Sequence, residues 1–252
     1  MTTTLRLEAR PGGVRLLTLD DPDRRNAMGS AMAAAMVAAA AELQSDAQVR
    51  ALVVAGAGKA FCAGADLPEL FGDGGRPITE VHASLQRYYR AFFSIHELPF
   101  PTIAAVQGAA VGAGLNLAMA CDVRIAGPHA SFGATFTRIG LHPGGGCTWF
   151  LTRTLGPSRA LRTLLLGEPL DAEAAVAAGL ADGPEDDPLA AALELAERFA
   201  AVDGELARHV KRAVGLAVEP GDFGAVVEFE SWAQAASASS PQLREWVAQF
   251  RK

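Results

Sequence analysis

Apolar and polar residues alternate at the start of the chain. Leu5, Leu7, Val14, Leu16 and Leu19, with Pro11-Gly12-Gly13 between the two runs, predict two strands joined by a hairpin-type turn. The polar run from Asp20 to Asn26 reads as a loop, with Asn26 placed to cap the next helix. From Ala27 to about Leu43 the chain is rich in Ala and Met, which predicts that helix by propensity alone. Val49 to Ala55 is apolar and β-branched, a buried strand. Strand, helix, strand in that order implies a parallel pair with a right-handed crossover.

Further along, Thr79 to Leu98 predicts a long helix stopped by Pro99 and Pro101. Thr102 to Gln107 reads as a short buried strand, Gly108 to Gly114 as a turn, and Leu115 to Ala120 as a short helix. Val123 to Ala126 is again a strand. Beyond about Arg159 the strand signal fades. Ala160 to Leu166, Asp171 to Ala178, Leu189 to Val202, Glu205 to Val218, Phe223 to Ala236 and Pro241 to Lys252 all favour helix. The division predicted is a core over residues 1–195 and a helical C-terminal region over 196–252. Apolar stripes in that region (Phe223, Val227, Trp232; Trp246, Phe250) suit packing on the core or on another subunit.

Composition narrows the function classes. Half of the 252 residues are hydrophobic, which argues against disorder, and a net charge of −6 offers no broad basic surface for nucleic acid or an anionic membrane. Cys62, Cys121 and Cys147 are odd in number and widely spaced, so neither a disulfide framework nor a metal site is expected. The N-terminus lacks the basic start and apolar run of a signal peptide, and no apolar stretch reaches about 20 residues. A soluble cytoplasmic protein is the reading.

Two segments carry candidate chemistry. One is Gly58-Lys59-Ala60-Phe61-Cys62-Ala63-Gly64-Ala65-Asp66-Leu67, directly after a buried strand; its Asp66 suits a helix cap. The other runs from Gln107 through Gly108, Gly112 and Gly114 to Asn116, a strand passing through a glycine turn into a helix. Amide N–H groups at such a junction lack intrahelical partners, and the helix dipole favours negative charge. Should the two turns face one another, one N–H from each would grip a single oxygen, the geometry of an oxyanion hole. Neither segment is a phosphate-binding P-loop or a G-x-S-x-G elbow.

Together with their surroundings these segments resemble the crotonase (enoyl-CoA hydratase/isomerase) family. The resemblance runs through D-P-D-R-R-N-A-M from Asp21, G-K-A-F-C-A-G-A-D-L from Gly58 and P-T-I-A-A-V-Q-G-A-A-V-G-A-G from Pro101. It continues in C-D-V-R-I-A from Cys121, A-S-F-G from Ala130, I-G-L-H-P-G-G-G from Ile139, V-K-R-A-V from Val210, and Glu228, Glu230 and Gln234. It implies an α/β fold, a spiral of ββα units with a helical C-terminal region that assembles a homotrimer or a dimer of trimers. It also implies an acyl-CoA or enoyl-CoA ligand, with coenzyme A carried as part of the substrate and no separate cofactor or metal. By position, the oxyanion-hole amides would be those of Ala65 and Ala113. Arg24 and then Arg25 would meet the CoA phosphates or adenine, with Ala63 and Asp66 in the same binding region.

The chain departs from the hydratase pattern where the resemblance would place two water-activating glutamates. Asn116 and Phe136 stand there. Asn orients a water but cannot accept or deliver its proton at neutral pH, and Phe does neither. Each general acid or base typically contributes roughly 10²–10⁴-fold, so hydration by paired carboxylates is not expected. Other titratable residues have plain structural alternatives: His142 as a loop histidine, Glu80 and His82 as a helix face, Cys62 as an inert core thiol. Phe132, Trp149 and Phe150 either join Phe136 in making the pocket apolar or pack the core. Three readings remain: an enzyme with unrecognised acid–base groups, an acyl-CoA binder without chemistry, and a scaffold that keeps only the fold.

Overall fold

The computed structural model describes residues 4–218, 224, 227–228, 231–232, 234–235, 238 and 241–249. Strands β1 (Leu5–Ala9) and β2 (Val14–Leu19) form the expected antiparallel pair, with Leu7 opposite Leu17. Helix α1 (Ser30–Ser45) leads to β3 (Ala51–Gly56), which lies parallel to β2. Helices α2 (Leu67–Phe71) and α3 (Ile78–His96) follow, then β4 (Thr102–Val106), β5 (Ala109–Val111) and α4 (Ala113–Ala120). Next come β6 (Val123–Ala126), β7 (Ser131–Gly133), a 3-10 turn (Thr135–Ile139) and α5 (Cys147–Leu166). The remainder comprises β8 (Leu170–Asp171), α6 (Ala172–Ala177), α7 (Pro188–Ala200), α8 (Gly204–Val218) and α9 (Pro241–Gln249).

The strands sort into two sheets, β1-β2-β3-β4-β6 and β5-β7-β8. That sorting explains the ββα repeat. β4 enters the large sheet, β5 the small one, and α4 returns; β6, β7 and α5 do the same. After β3, a single parallel bridge from Cys62 to Ala110 takes the place of a small-sheet strand before α2 and α3.

Alternation along the strands divides the core in two, because successive side chains point to opposite faces. Leu17, Leu52, Val54, Ala104 and Val106 face α1, α3 and α4, while Leu16, Val53, Ile103 and Ala105 face Ala192 and Ala196 of α7. α1 buries Met32, Ala33, Met36, Ala39, Ala40 and Leu43, the stripe its Ala/Met content can pack closely. α8 is tied back by Lys211, which donates to the Asp122 carboxylate at 2.7 Å and to the Phe100 carbonyl at 3.0 Å.

Several expectations need correction. Asn26 does not cap α1, whose N-cap is Gly29; Asn26 is buried and bonds elsewhere. The Gly108–Gly114 segment is not all turn, since Ala109, Ala110 and Val111 pair with Ser131, Phe132 and Gly133 as β5 and β7. Strand pairing also continues past Arg159 in β8, and α5 begins at Cys147, well before Ala160. Three-residue strands lack the length to show a period of two, so pairing partners rather than local sequence define them. Phe223, Glu230 and Phe250 lie outside the described residues. No helix among the described residues is long and apolar enough to cross a membrane.

Candidate functional site

The two glycine turns do face one another. The Cys62 N–H donates to the Ala109 carbonyl at 2.9 Å, and the Val111 N–H donates to the Cys62 carbonyl at 3.0 Å. A side chain on Gly114 would strike that Cys62 carbonyl, so only glycine lets α4 seat against the first turn.

A third segment fixes Ala65. The Met28 N–H donates to the Gly64 carbonyl at 2.8 Å, and the Asp66 N–H donates to the Met28 carbonyl at 3.0 Å. In this parallel bridge the groups of residues 64 and 66 turn toward Met28, so the N–H of Ala65 points the opposite way. Ala113 opens α4, where amides have no partner within the helix. Each alanine follows a glycine with positive φ, Gly64 at 117° and Gly112 at 54°. Ala65 and Ala113 both line one cavity of about 90 Å³.

The loop that carries Met28 hangs on Asn26. Its Nδ2 lies within hydrogen-bond distance of the carbonyls of Ala57 (2.9 Å), Ala60 (2.9 Å) and Phe61 (3.1 Å), and its Oδ1 accepts from the Asp21 N–H at 2.9 Å. The R-R-N-A-M segment is thereby stapled to the loop entering the first turn. Tyr88 of α3 adds a further tie, its hydroxyl donating to the Met28 carbonyl at 2.9 Å.

The cavity wall is apolar: Leu70, Phe71, Leu85, Phe92, Phe136 and Leu141 contribute to it. Asn116 lines it too and is buried; its Nδ2 donates to the Gly144 carbonyl at 2.7 Å, which leaves Oδ1 as a buried acceptor without a hydrogen-bond partner. Phe136 lies in the 3-10 turn, with its ring near Gly112. Among the described residues, the only ionisable side chains in the lining are Tyr88 and Tyr89. Burial drives the Tyr88 hydroxyl well above the ordinary phenol range, so it stays protonated at neutral pH.

Other candidates fall outside this lining. His82 stacks on Trp232 at 4.3 Å and faces the Glu228 carboxylate at 3.4 Å, on the outer side of α3. Glu80 is exposed, and His142 has its Nδ1 2.7 Å from the Pro143 carbonyl. Cys62 is fully buried, and burial pushes its thiol up to about 12, so it carries no thiolate at neutral pH. Phe132 and Phe150 pack in the core and do not line the cavity, nor does Trp149. Asp66 caps α2 by accepting from the Glu69 N–H at 3.2 Å and also pairs with the half-exposed Arg24. Arg25 is exposed with φ of 53°, and its carbonyl accepts from the Ala63 N–H at 2.9 Å. Arg24, Arg25, Ala63, Ala65 and Asp66 are thus gathered at one margin of the cavity.

Sequence reasoning passed over Leu85, Tyr88, Tyr89 and Phe92. Their spacing along α3 is the i, i+3, i+4, i+7 stripe of a buried helix face, but that signal marks burial without distinguishing a core wall from a ligand wall. Gln234 also lines the cavity and accepts from the Tyr89 hydroxyl.

Comparison with known proteins agrees with this architecture. The enoyl-CoA hydratase/isomerase family model matches residues 9–250. A probable enoyl-CoA hydratase of Mycobacterium tuberculosis is 48% identical over 240 residues, covering 93% of each chain. A 1,2-epoxyphenylacetyl-CoA isomerase of Escherichia coli is 34% identical, covering 94% of this chain and 92% of its own. Among solved structures, an enoyl-CoA hydratase/isomerase from Mycobacterium paratuberculosis superposes with a TM-score of 0.90 at 26% identity, covering 99% of both chains. The paired sheets, the facing glycine turns and these similarities together place the chain in the enoyl-CoA hydratase/isomerase (crotonase) family.

Proposed function

We propose that this protein binds an acyl-CoA thioester, polarises its carbonyl between the N–H groups of Ala65 and Ala113, and does not hydrate enoyl groups by the paired-carboxylate route. The supporting observation is the cavity lining: two aligned turns supply amides, while among the described residues no carboxylate or imidazole lines the cavity beside them. Two backbone donors aimed at a thioester oxygen stabilise the charge it gains as the carbon beside it becomes enolate-like. Adding water across a double bond also requires a group that takes a proton from the water and one that returns a proton to carbon. Asn116 and Phe136 supply neither. Asn116 Oδ1 orients a donor without accepting its proton.

Coenzyme A enters as part of the ligand. Arg24 and Arg25, at the cavity margin, meet its phosphates; Ala63 and Asp66 border the same entrance. Arg24 is half exposed, so a phosphate exchanges with the Asp66 carboxylate without emptying a buried pair. The exposed apolar side chains of Leu206, Val210 and Val214 on α8, with Leu161 and Leu165 on α5, suit self-association, and we assign the assembly as a trimer or a dimer of trimers. A cytoplasmic setting accords with three buried cysteines, none of them in a disulfide.

The test pairs two measurements on the purified chain. Loss of the crotonyl-CoA enone absorbance is expected at least about a hundredfold below the roughly 1–10³ s⁻¹ usual for enzymes, whereas calorimetry shows saturable binding of butyryl-CoA. Hydration at ordinary enzyme rates overturns the chemical part of the proposal, and absence of acyl-CoA binding overturns the whole.

A further inference from the structure

Resting on the acyl-CoA reading, we infer that Phe71 is the partition that limits the acyl chain to a short one, and that a ready-made extension of the site lies behind it. Two cavities flank this residue. The first, of about 90 Å³, holds Ala65, Ala113 and Asn116; the second, of about 440 Å³, lies between the loop after α2 and helix α9, with Gly74, Arg244, Val247 and Ala248 in its wall. Among the described residues, Phe71 is the one lining residue the two have in common.

Its position along α2 explains why it stands at the far end. The helix starts beside Ala65 and Asp66 and reaches Phe71 four residues after Leu67, about 6 Å on at 1.5 Å per residue. A chain entering from the amides of Ala65 and Ala113 and running along α2 meets the phenyl ring. The ring is fixed rather than loose: Phe71 is 7% exposed, the Gly72 N–H donates to the Pro68 carbonyl at 2.9 Å, and the Arg76 guanidinium donates to the Leu70 carbonyl. The cavity of about 90 Å³ is lined by Ala65 and Ala113 and so holds the thioester group as well as the alkyl chain, which suits a short acyl group. The space beyond the ring is several times larger.

The experiment is a calorimetric series of butyryl-, hexanoyl-, octanoyl- and decanoyl-CoA on the full chain, on Phe71→Ala and on Phe71→Ala/Ala248→Trp. A methylene that is buried improves Kd by about fourfold. For the native chain, affinity is expected to stop rising beyond about butyryl or hexanoyl. Phe71→Ala binds decanoyl-CoA at least tenfold more tightly than the native chain does, a gain that misfolding cannot produce. Ala248 is an exposed lining residue of the second cavity, so a Trp there in the Phe71→Ala background fills the new space and removes the gain. A native profile that climbs about fourfold per methylene through decanoyl overturns the inference. So does a folded Phe71→Ala protein, judged by circular dichroism, with the native profile. No binding at any length in any of the three proteins instead overturns the acyl-CoA reading beneath it, and the inference with it.

Discussion

Replacing Asn26 is expected to destabilise the protein more than any surface substitution in its loop, and two substitutions separate the causes. Its amide faces three main-chain carbonyls with two N–H groups and accepts one main-chain N–H, all without contact with water. Counting at most three effective hydrogen bonds at roughly 0.5–1.5 kcal/mol each gives about 2–4 kcal/mol for Asn26→Gly. Asn26 also has φ of 57°, a conformation that costs alanine roughly 1–2 kcal/mol more than it costs glycine. Asn26→Ala is therefore expected to lose about 3–6 kcal/mol, a large share of the roughly 5–15 kcal/mol that holds a domain folded. Urea denaturation followed by circular dichroism measures both. With a slope of about 3 kcal/mol per molar, the midpoint falls by about 1 M or more for Ala and by less for Gly. Asn26→Asp sets carboxylate oxygen against three carbonyls and is expected to be the worst of the three. A midpoint for Asn26→Ala within about 0.3 M of native, or equal midpoints for Ala and Gly, would refute this reasoning.

The site and the core lead to three further expected outcomes. Arg24→Ala weakens acyl-CoA binding several-fold at low salt but leaves acyl-pantetheine binding unchanged, because the shorter ligand lacks the nucleotide phosphates; equal loss for both contradicts a phosphate contact. Asn116→Glu combined with Phe136→Glu raises crotonyl-CoA hydration above the native rate, whereas no gain means the pocket differs beyond those two positions. Burial holds the thiols of Cys62 and Cys121 at about 12, so the folded chain keeps protons that the unfolded chain releases near the ordinary thiol value of about 8.5. Stability is thus undiminished below about pH 8.5 and declines by about 1.4 kcal/mol per pH unit per thiol as pH rises toward 12. Denaturation midpoints measured between pH 8 and 10.5 check this, and a flat profile contradicts it.

Much of the fold is legible in the sequence wherever an element is long enough to impose its own period. β2, β3 and β4 alternate or run apolar between turn residues, and α3 carries a full stripe. β5, β7 and β8 have three, three and two residues, so their pairing is decided by distant chain and leaves little local trace. Asn26 shows the same limit. Its place before a helical run reads as a cap, yet a carbonyl-rich loop more than thirty residues away uses its amide instead. At the site, the facing of the two glycine turns accords with their small residues, and the non-acidic residues at positions 116 and 136 are visible directly. The partition at Phe71 is not, because it depends on a helix about 170 residues further along the chain.

The central claim is that two backbone amides grip a thioester oxygen, and vibrational spectroscopy addresses it without requiring turnover. Isotope-edited infrared difference spectra of butyryl-CoA labelled with ¹³C at the carbonyl report the C=O stretch of the bound ligand alone. Polarisation by Ala65 and Ala113 predicts a stretch shifted to lower frequency than in water, since two aligned donors in an apolar wall outmatch solvent. A carbonyl stretch at or above the aqueous frequency with the site saturated would contradict it.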